Sequence, residues 1–248
     1  MIVHIGFAIA LALALHIGAS NAGVTMGPAV GTGARSRWVA LALAAIGYVL
    51  GALLLGPRVV ATIGGDLFTA PVHPYALLVV APTTTLSIII LANVLRVPIP
   101  TTHAAIASLV GLALYLDVAR VERVRTVLVW WAATPIVALV VTYVAVRFLL
   151  RFELNGRFAR WAGFLLSLGG AYVAFAVGAN NAANASGALA AAGIVSPFAG
   201  AAIAGATMAA GALFFGNRML SNQVADVAMV ERLRLLVAGI VAATTTLA

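Results

Sequence analysis

The sequence contains no cysteine and no lysine. The first absence excludes disulfides, thiolate chemistry and cysteine-ligated metals. The second makes arginine the only Lys/Arg-type cation, with 14 copies. Acids are equally scarce: Asp66, Asp117, Glu122, Glu153, Asp226 and Glu231 are the whole set, each at or beyond the end of an apolar run. Only 8% of the 248 residues are charged and 64% are hydrophobic, whereas a soluble domain carries roughly 25% charged residues. Such a chain cannot cover a water-facing surface, so lipid must solvate most of it. The net charge of +8 is not a nucleic-acid signal, because the arginines lie between apolar runs (Arg35, Arg37, Arg58, Arg96, Arg120, Arg123, Arg125) and form no stripe. Arginines so placed are those of membrane-flanking loops. An enzyme is not expected either. There is no HExxH and no pair of acids inside an apolar run, and His16 with Ser20 is the one base–nucleophile spacing worth naming. No metal site and no cofactor are expected.

What is present is a series of apolar runs. Residues 38–55, 75–95, 127–150, 164–177, 195–215 and 235–248 read as membrane helices, a full span needing about 20 apolar residues. Residues 2–17 and 104–116 are shorter and adjoin Gly- or Pro-bearing polar sequence, which reads as broken or re-entrant helices. The first run has no basic region before it, so it reads as a mature helix and not as a cleaved signal. The chain is expected in the cell (plasma) membrane as a multi-pass protein, with the lipid bilayer as its solvent.

An internal repeat organises these runs. Gly18, Ala19, Ser20, Asn21, Ala22 and Gly23 recur as Gly178, Ala179, Asn180, Asn181, Ala182 and Ala183, an offset of 160. Residues 51–58 match 211–218 at the same offset, and residues 83–86 match 244–247 at 161. The arginine-rich stretch 147–160 reads as the cytoplasmic junction between a first repeat, 1–150, and a second, 151–248. Two-repeat membrane proteins commonly place a substrate site at the repeat interface near the bilayer midplane.

Two segments could carry chemistry. In the first, the repeated Gly/Asn motif, an amide buried in hydrocarbon must find hydrogen-bond partners. An isolated Asn reads as helix–helix glue. Its recurrence at equivalent repeat positions favours a binding role, with the glycines permitting an unwound backbone at 18–25 and 178–185. In the second, residues 98–103, Pro100 is compatible with a first helical turn. Thr101 and Thr102 then present N–H groups and hydroxyls at a positive helix end, although alone this reads as an ordinary capped helix. His16 and His103 adjoin the two motifs and could donate to an oxyanion.

Together these residues resemble the inorganic phosphate transporter family, which includes sodium-coupled phosphate carriers and bacterial sulfate permeases. That family carries G-A-N-D-x-A-N-A once in each half and P-V-S-T-T-H opening a re-entrant hairpin. Here the corresponding stretches are 18–25, 178–185 and 98–103. The resemblance implies an all-α transmembrane fold of two homologous, inverted repeats with broken helices and a re-entrant hairpin. It implies secondary transport of a small tetrahedral oxyanion, phosphate first and sulfate as the alternative. Ser20, Asn21, Thr25, Thr101, Thr102, His103, Asn180, Asn181 and Asn184 would bind substrate. Coupling to Na⁺ or H⁺ as a symporter, and a homo-oligomer, are further implications.

Three departures from the family pattern matter. The family Asp is Asn21 in one half and Asn181 in the other, which removes the carboxylates expected to help hold a coupling cation. Hydrogen phosphate can donate a proton to a carboxylate, whereas sulfate cannot, so neutral amides remove an acceptor that would favour phosphate. Finally, the offset puts the counterpart of Thr101, Thr102 and His103 near position 262, past residue 248. The second repeat therefore reads as truncated before its own hairpin, and a non-transporting membrane partner is the remaining alternative.

Overall fold

The computed structural model describes residues 1–95, 100–149 and 156–227. The apolar run at 235–248, the 244–247 copy of the threonine motif, residues 97–99, and Arg96, Arg151 and Glu153 lie outside the described residues. The described part is almost wholly helical: α1 (Ile2–Gly31), α2 (Arg37–Leu54), α3 (Gly56–Gly65), α4 (Ala81–Leu95), α5 (Thr101–Tyr115), α6 (Val121–Leu149), α7 (Gly156–Ala191) and α8 (Pro197–Val227). A π-helical turn, Ala76–Val80, leads into α4. Among the described residues, five helical segments are long and apolar enough to cross a membrane: Ile2–Gly31, Arg37–Leu54, Val121–Val144, Gly163–Ala191 and Pro197–Ser221. The chain is a multi-pass membrane protein.

The expected breaks at 18–25 and 178–185 do not occur, for α1 and α7 run straight through both motifs. The physical reason lies in the side chains. Asn21 Nδ2 donates to the Ile17 carbonyl (2.9 Å), Ser20 Oγ to the same carbonyl (3.2 Å), and Asn181 Nδ2 to the Val177 carbonyl (3.1 Å). Polar groups that bond back to the preceding turn are satisfied without unwinding the backbone. The short run 2–17 is accordingly the first half of a 30-residue helix.

The glycines of the motifs serve close helix crossings instead. A Cβ on Gly18 would overlap the backbone carbonyl of Met208, and a Cβ on Gly178 would overlap that of Tyr48. These pairs are one contact seen twice, since 178 − 18 and 208 − 48 both equal 160. Gly211 against Leu15 and Gly51 against Phe175 form a second reciprocal set at the same offset. Small residues at such crossings let helix backbones approach closely, which is how helices associate when lipid removes the hydrophobic drive between them.

The same contacts give helix directions. Positions 15–18 of α1 meet 208–211 of α8, and 19–22 meet Gly216, so these two helices run the same way. Gly47 of α2 meets 171–175 of α7 and Gly51 meets 175–179, so this pair is parallel too. In contrast, Gly170 of α7 packs on Thr25 and Met26 of α1, while Ala10 and Ala185 line one crevice. Thus α1 and α7, equivalent by sequence, are antiparallel. The turns after them also match, with Gly33 and Gly193 both at φ +70°. Equivalent hairpins of opposite direction fit an inverted repeat about an axis in the membrane plane.

Around this four-helix centre lie the remaining elements. The short helices α4 and α5 pack on each other, and α5, with 15 residues, is about 22 Å long, less than the roughly 30 Å hydrocarbon thickness. That length fits the expected re-entrant element. A small polar latch ties the end of α3 to the start of α6. It comprises Thr69 N–H to the Val118 carbonyl (2.8 Å), Arg120 N–H to the Leu67 carbonyl (3.0 Å), and the Arg123–Asp66 ion pair (3.5 Å).

Candidate oxyanion site

The site begins at the first turn of α5. Pro100 is its N-cap, with extended backbone at φ −63°, ψ 129°. The residue before the helix therefore carries the proline, where a missing N–H costs nothing. The helical ladder opens with Ala104 N–H bonding to the Pro100 carbonyl (3.2 Å). The N–H groups of Thr101, Thr102 and His103 thus have no carbonyl within the helix and sit at its positive pole. All three residues are half-buried.

Across from this pole stands α7. Asn184 Nδ2 donates to Thr102 Oγ1 (2.9 Å) and to Asn181 Oδ1 (2.8 Å), and Thr102 Oγ1 donates to Asn181 Oδ1 (3.4 Å). Three side chains 79 to 82 residues apart or within one turn thereby form a closed polar cluster. Asn184 is buried at 9% exposure, and its Oδ1 has no hydrogen-bond partner. A buried, unpaired amide oxygen costs about 1–3 kcal/mol, and a small polar ligand can relieve that cost. Asn181 and Asn184 lie three and six residues beyond the Gly178 crossing, about 4.5 and 9 Å along α7, in the second half of the span Gly163–Ala191.

The structure brings together only part of the expected set. Thr102, Asn181 and Asn184 meet directly, and Thr101 and His103 flank them on the first turn of α5. Asn180 is half-buried on α7. Ser20 and Asn21 sit on α1 and are turned onto their own helix. Thr25 is not at the cluster: it is buried, bonds to the Ala22 carbonyl (3.2 Å), and lies 3.5 Å from the Tyr48 hydroxyl. Thr25 thus serves the α1–α2 contact. Ser20 Oγ points to Ile17, and His16 lines an open groove of about 540 Å³ with Asn217 and Arg218. No base–nucleophile pair is formed there.

Two aromatic neighbours went unmarked in the sequence. Tyr48, fully buried, seals Thr25. Trp131 of α6 stacks on His103, with ring centroids 4.0 Å apart and planes inclined by 22°. Nothing in the pattern around residue 131 signals a partner 28 positions upstream.

Among the described residues, no group of three or more His, Cys, Asp or Glu could hold a metal. The cluster is instead uncharged: the Thr102 hydroxyl and the Asn184 amide protons are engaged within it, and the donors it leaves for a small anion are the helix-terminal N–H groups of α5.

An inverted pair of helical hairpins, two short helices packed beside them and a neutral polar cluster within the bundle define a class, the polytopic membrane protein built from paired helical hairpins. The profile of the phosphate transporter family matches residues 17–161, more than half of the chain, and the chain belongs to that family. The family is one of membrane transporters and not of enzymes. The sulfate permease CysP of Bacillus subtilis is 31% identical over 216 residues, covering 86% of this chain and 61% of the permease. The chain therefore spans less than two thirds of that relative's length. A solved structure described as the sodium-dependent phosphate transporter superimposes with a TM-score of 0.82 at 20% identity, covering 99% of this chain and 83% of that one. At that identity the match establishes the fold.

Proposed function

We propose that the protein is a plasma-membrane secondary transporter of a small tetrahedral oxyanion, with inorganic phosphate as the first reading. The observation that carries it is the meeting of Thr102 with Asn181 and Asn184 at the open first turn of α5. That meeting joins both family motifs in one polar cluster within the bundle. In this reading the N–H groups of Thr101, Thr102 and His103 bind the anion, and Asn184 Oδ1, the acceptor left open in the cluster, accepts from a protonated oxyanion. The repeats 1–150 and 151–248 rock about the site. Asn21 and Ser20 belong to the equivalent position of the first repeat. The driving gradient is Na⁺ or H⁺, and the protein works alone or as a homo-oligomer.

Sulfate is the second reading, and a specific observation favours it. No carboxylate accompanies Thr102 in its cluster, because Asn181 occupies the family Asp position. A fully deprotonated dianion meets no repulsive charge there, and a protonated phosphate finds no carboxylate acceptor. A relative is a sulfate permease.

Uptake of radiolabelled phosphate and sulfate into proteoliposomes, with and without a Na⁺ or pH gradient, tests both readings. Saturable phosphate uptake that excess sulfate leaves untouched supports the first. Saturable sulfate uptake supports the second. Folded protein that takes up neither sinks both, and the gradient that accelerates uptake names the coupling ion.

A further inference from the structure

We infer that Trp131 is a positioning residue of the oxyanion site, holding the first turn of α5 through its stack on His103. This rests on the transport reading above and adds to it a residue from a helix outside both motifs.

Helix α6 is an unusual span. None of its residues from Val121 to Val144 is fully buried. Six of its seven half-buried positions, Val124, Val127, Trp131, Thr134, Ala138 and Thr142, recur three and four apart and so form one narrow stripe, with Ala133 off it. Trp131 is the aromatic member of that stripe and, with Val127, packs against the main core. The helix otherwise joins the body through the polar latch at its N-terminal end. Trp131 is therefore where α6 grips the interior, and what it grips is the third residue of α5.

His103 needs such a grip. Its Nδ1 is buried and has no hydrogen-bond partner, so no hydrogen bond at that nitrogen fixes the plane of the imidazole. The parallel indole face at 4.0 Å does. Since His103 immediately follows Thr102, and its own N–H is one of the three at the helix pole, fixing the His103 ring fixes the turn that presents the donors. With the indole removed, Nδ1 loses its packed wall, the imidazole is free to turn, and the pole is less well aimed at its ligand. An anion site made of backbone N–H groups depends on aim, because each donor must lie within hydrogen-bond distance at once.

The test uses the full chain in proteoliposomes. Trp131→Leu keeps an apolar side chain and removes the stack; Trp131→Phe keeps a smaller aromatic face. The expected result is a KM for the transported oxyanion about threefold to tenfold higher in the Leu variant, with maximal rate close to wild type. The Phe variant should restore most of the affinity. A Leu variant with wild-type KM overturns the inference while leaving the transport reading standing, and so does a Leu variant that loses maximal rate alone. A second measurement does not depend on turnover. With Trp38, Trp130 and Trp161 changed to Phe, the remaining indole reports on its own stack. Adding phosphate or sulfate to that protein in detergent should alter Trp131 emission, and His103→Ala should abolish the response. An emission indifferent to saturating anion, in protein that still takes the anion up, overturns the inference. Wild-type protein that neither transports nor binds either anion removes the reading and the inference together.

Discussion

Thr102 is the residue on which the two motifs meet. Its hydroxyl accepts from Asn184 and donates to Asn181, so replacing it by Val keeps the shape and strands a buried amide. Losing such a partner costs about 1–3 kcal/mol, so Thr102→Val should raise the KM for the oxyanion by about tenfold to a hundredfold, measured by proteoliposome uptake. Asn181 allows the opposite experiment. Its Oδ1 already accepts from both neighbours, and a carboxylate in its place would accept the same two bonds while adding a charge and giving up the Nδ2 bond to the Val177 carbonyl. Asn181→Asp should therefore depress sulfate uptake more than phosphate uptake in a direct competition assay; an equal loss of both would argue against neutral-amide selectivity. The sequence made Thr102, Asn181 and Asn184 legible because each falls in a motif. It could not tell which motif residues turn toward a common point. Thr25 occupies a motif position yet is spent on Tyr48, since side-chain direction depends on helix phase and not on membership of a motif.

At the scale of elements, the apolar runs 38–55, 127–150 and 195–215 anticipated α2, α6 and α8, whereas the state of the motif helices was misjudged. Gly next to Asn in an apolar run suggests an unwound backbone, but the composition of a close crossing is the same. The two are separated only by what lies opposite, and here the backbones of Met208 and Tyr48 lie opposite. This yields a contrast between two kinds of glycine. Gly178→Leu drives a side chain into the Tyr48 carbonyl and should destabilise by on the order of 3 kcal/mol, seen as a lower apparent unfolding temperature in detergent. Gly33→Ala meets open space and only suffers its positive φ, so it should cost roughly 1 kcal/mol. Similar losses at both sites would contradict the crossing. The grip of Trp131 on His103 was illegible for another reason: it joins elements through tertiary packing alone, and an aromatic residue in an apolar run is ordinarily read as core or as interfacial belt.

For the whole molecule, the opposed directions of α1 and α7 place the two equivalent turns on opposite faces of the membrane. Ser36 and Ser196 are equivalent at offset 160, both exposed, and each immediately precedes its helix. The absence of native cysteine gives a clean background, so Ser36→Cys and Ser196→Cys variants should react with a membrane-impermeant maleimide from opposite sides of sealed vesicles. Labelling of both from one side would exclude the inverted arrangement. The architecture was foreshadowed by the sequence because a repeat at constant offset survives as a spacing even where the motif itself has drifted, as between Ser20 and Asn180. Its direction came only with the family resemblance, since inversion is a property of packing that no spacing records.

An unbroken α7 is a stiff rod, and Gly178, wedged on Tyr48, is its fulcrum. Asn184 sits about 9 Å out along the lever arm, opposite the first turn of α5, which does not share that pivot. A swing of roughly 10° about the fulcrum carries the end of such an arm through about 1.5 Å; directed away from Thr102, that opens the 2.9 Å bond well past hydrogen-bond range. A helix that had unwound at its motif would have absorbed such a swing locally; this one transmits it undiminished to the amide.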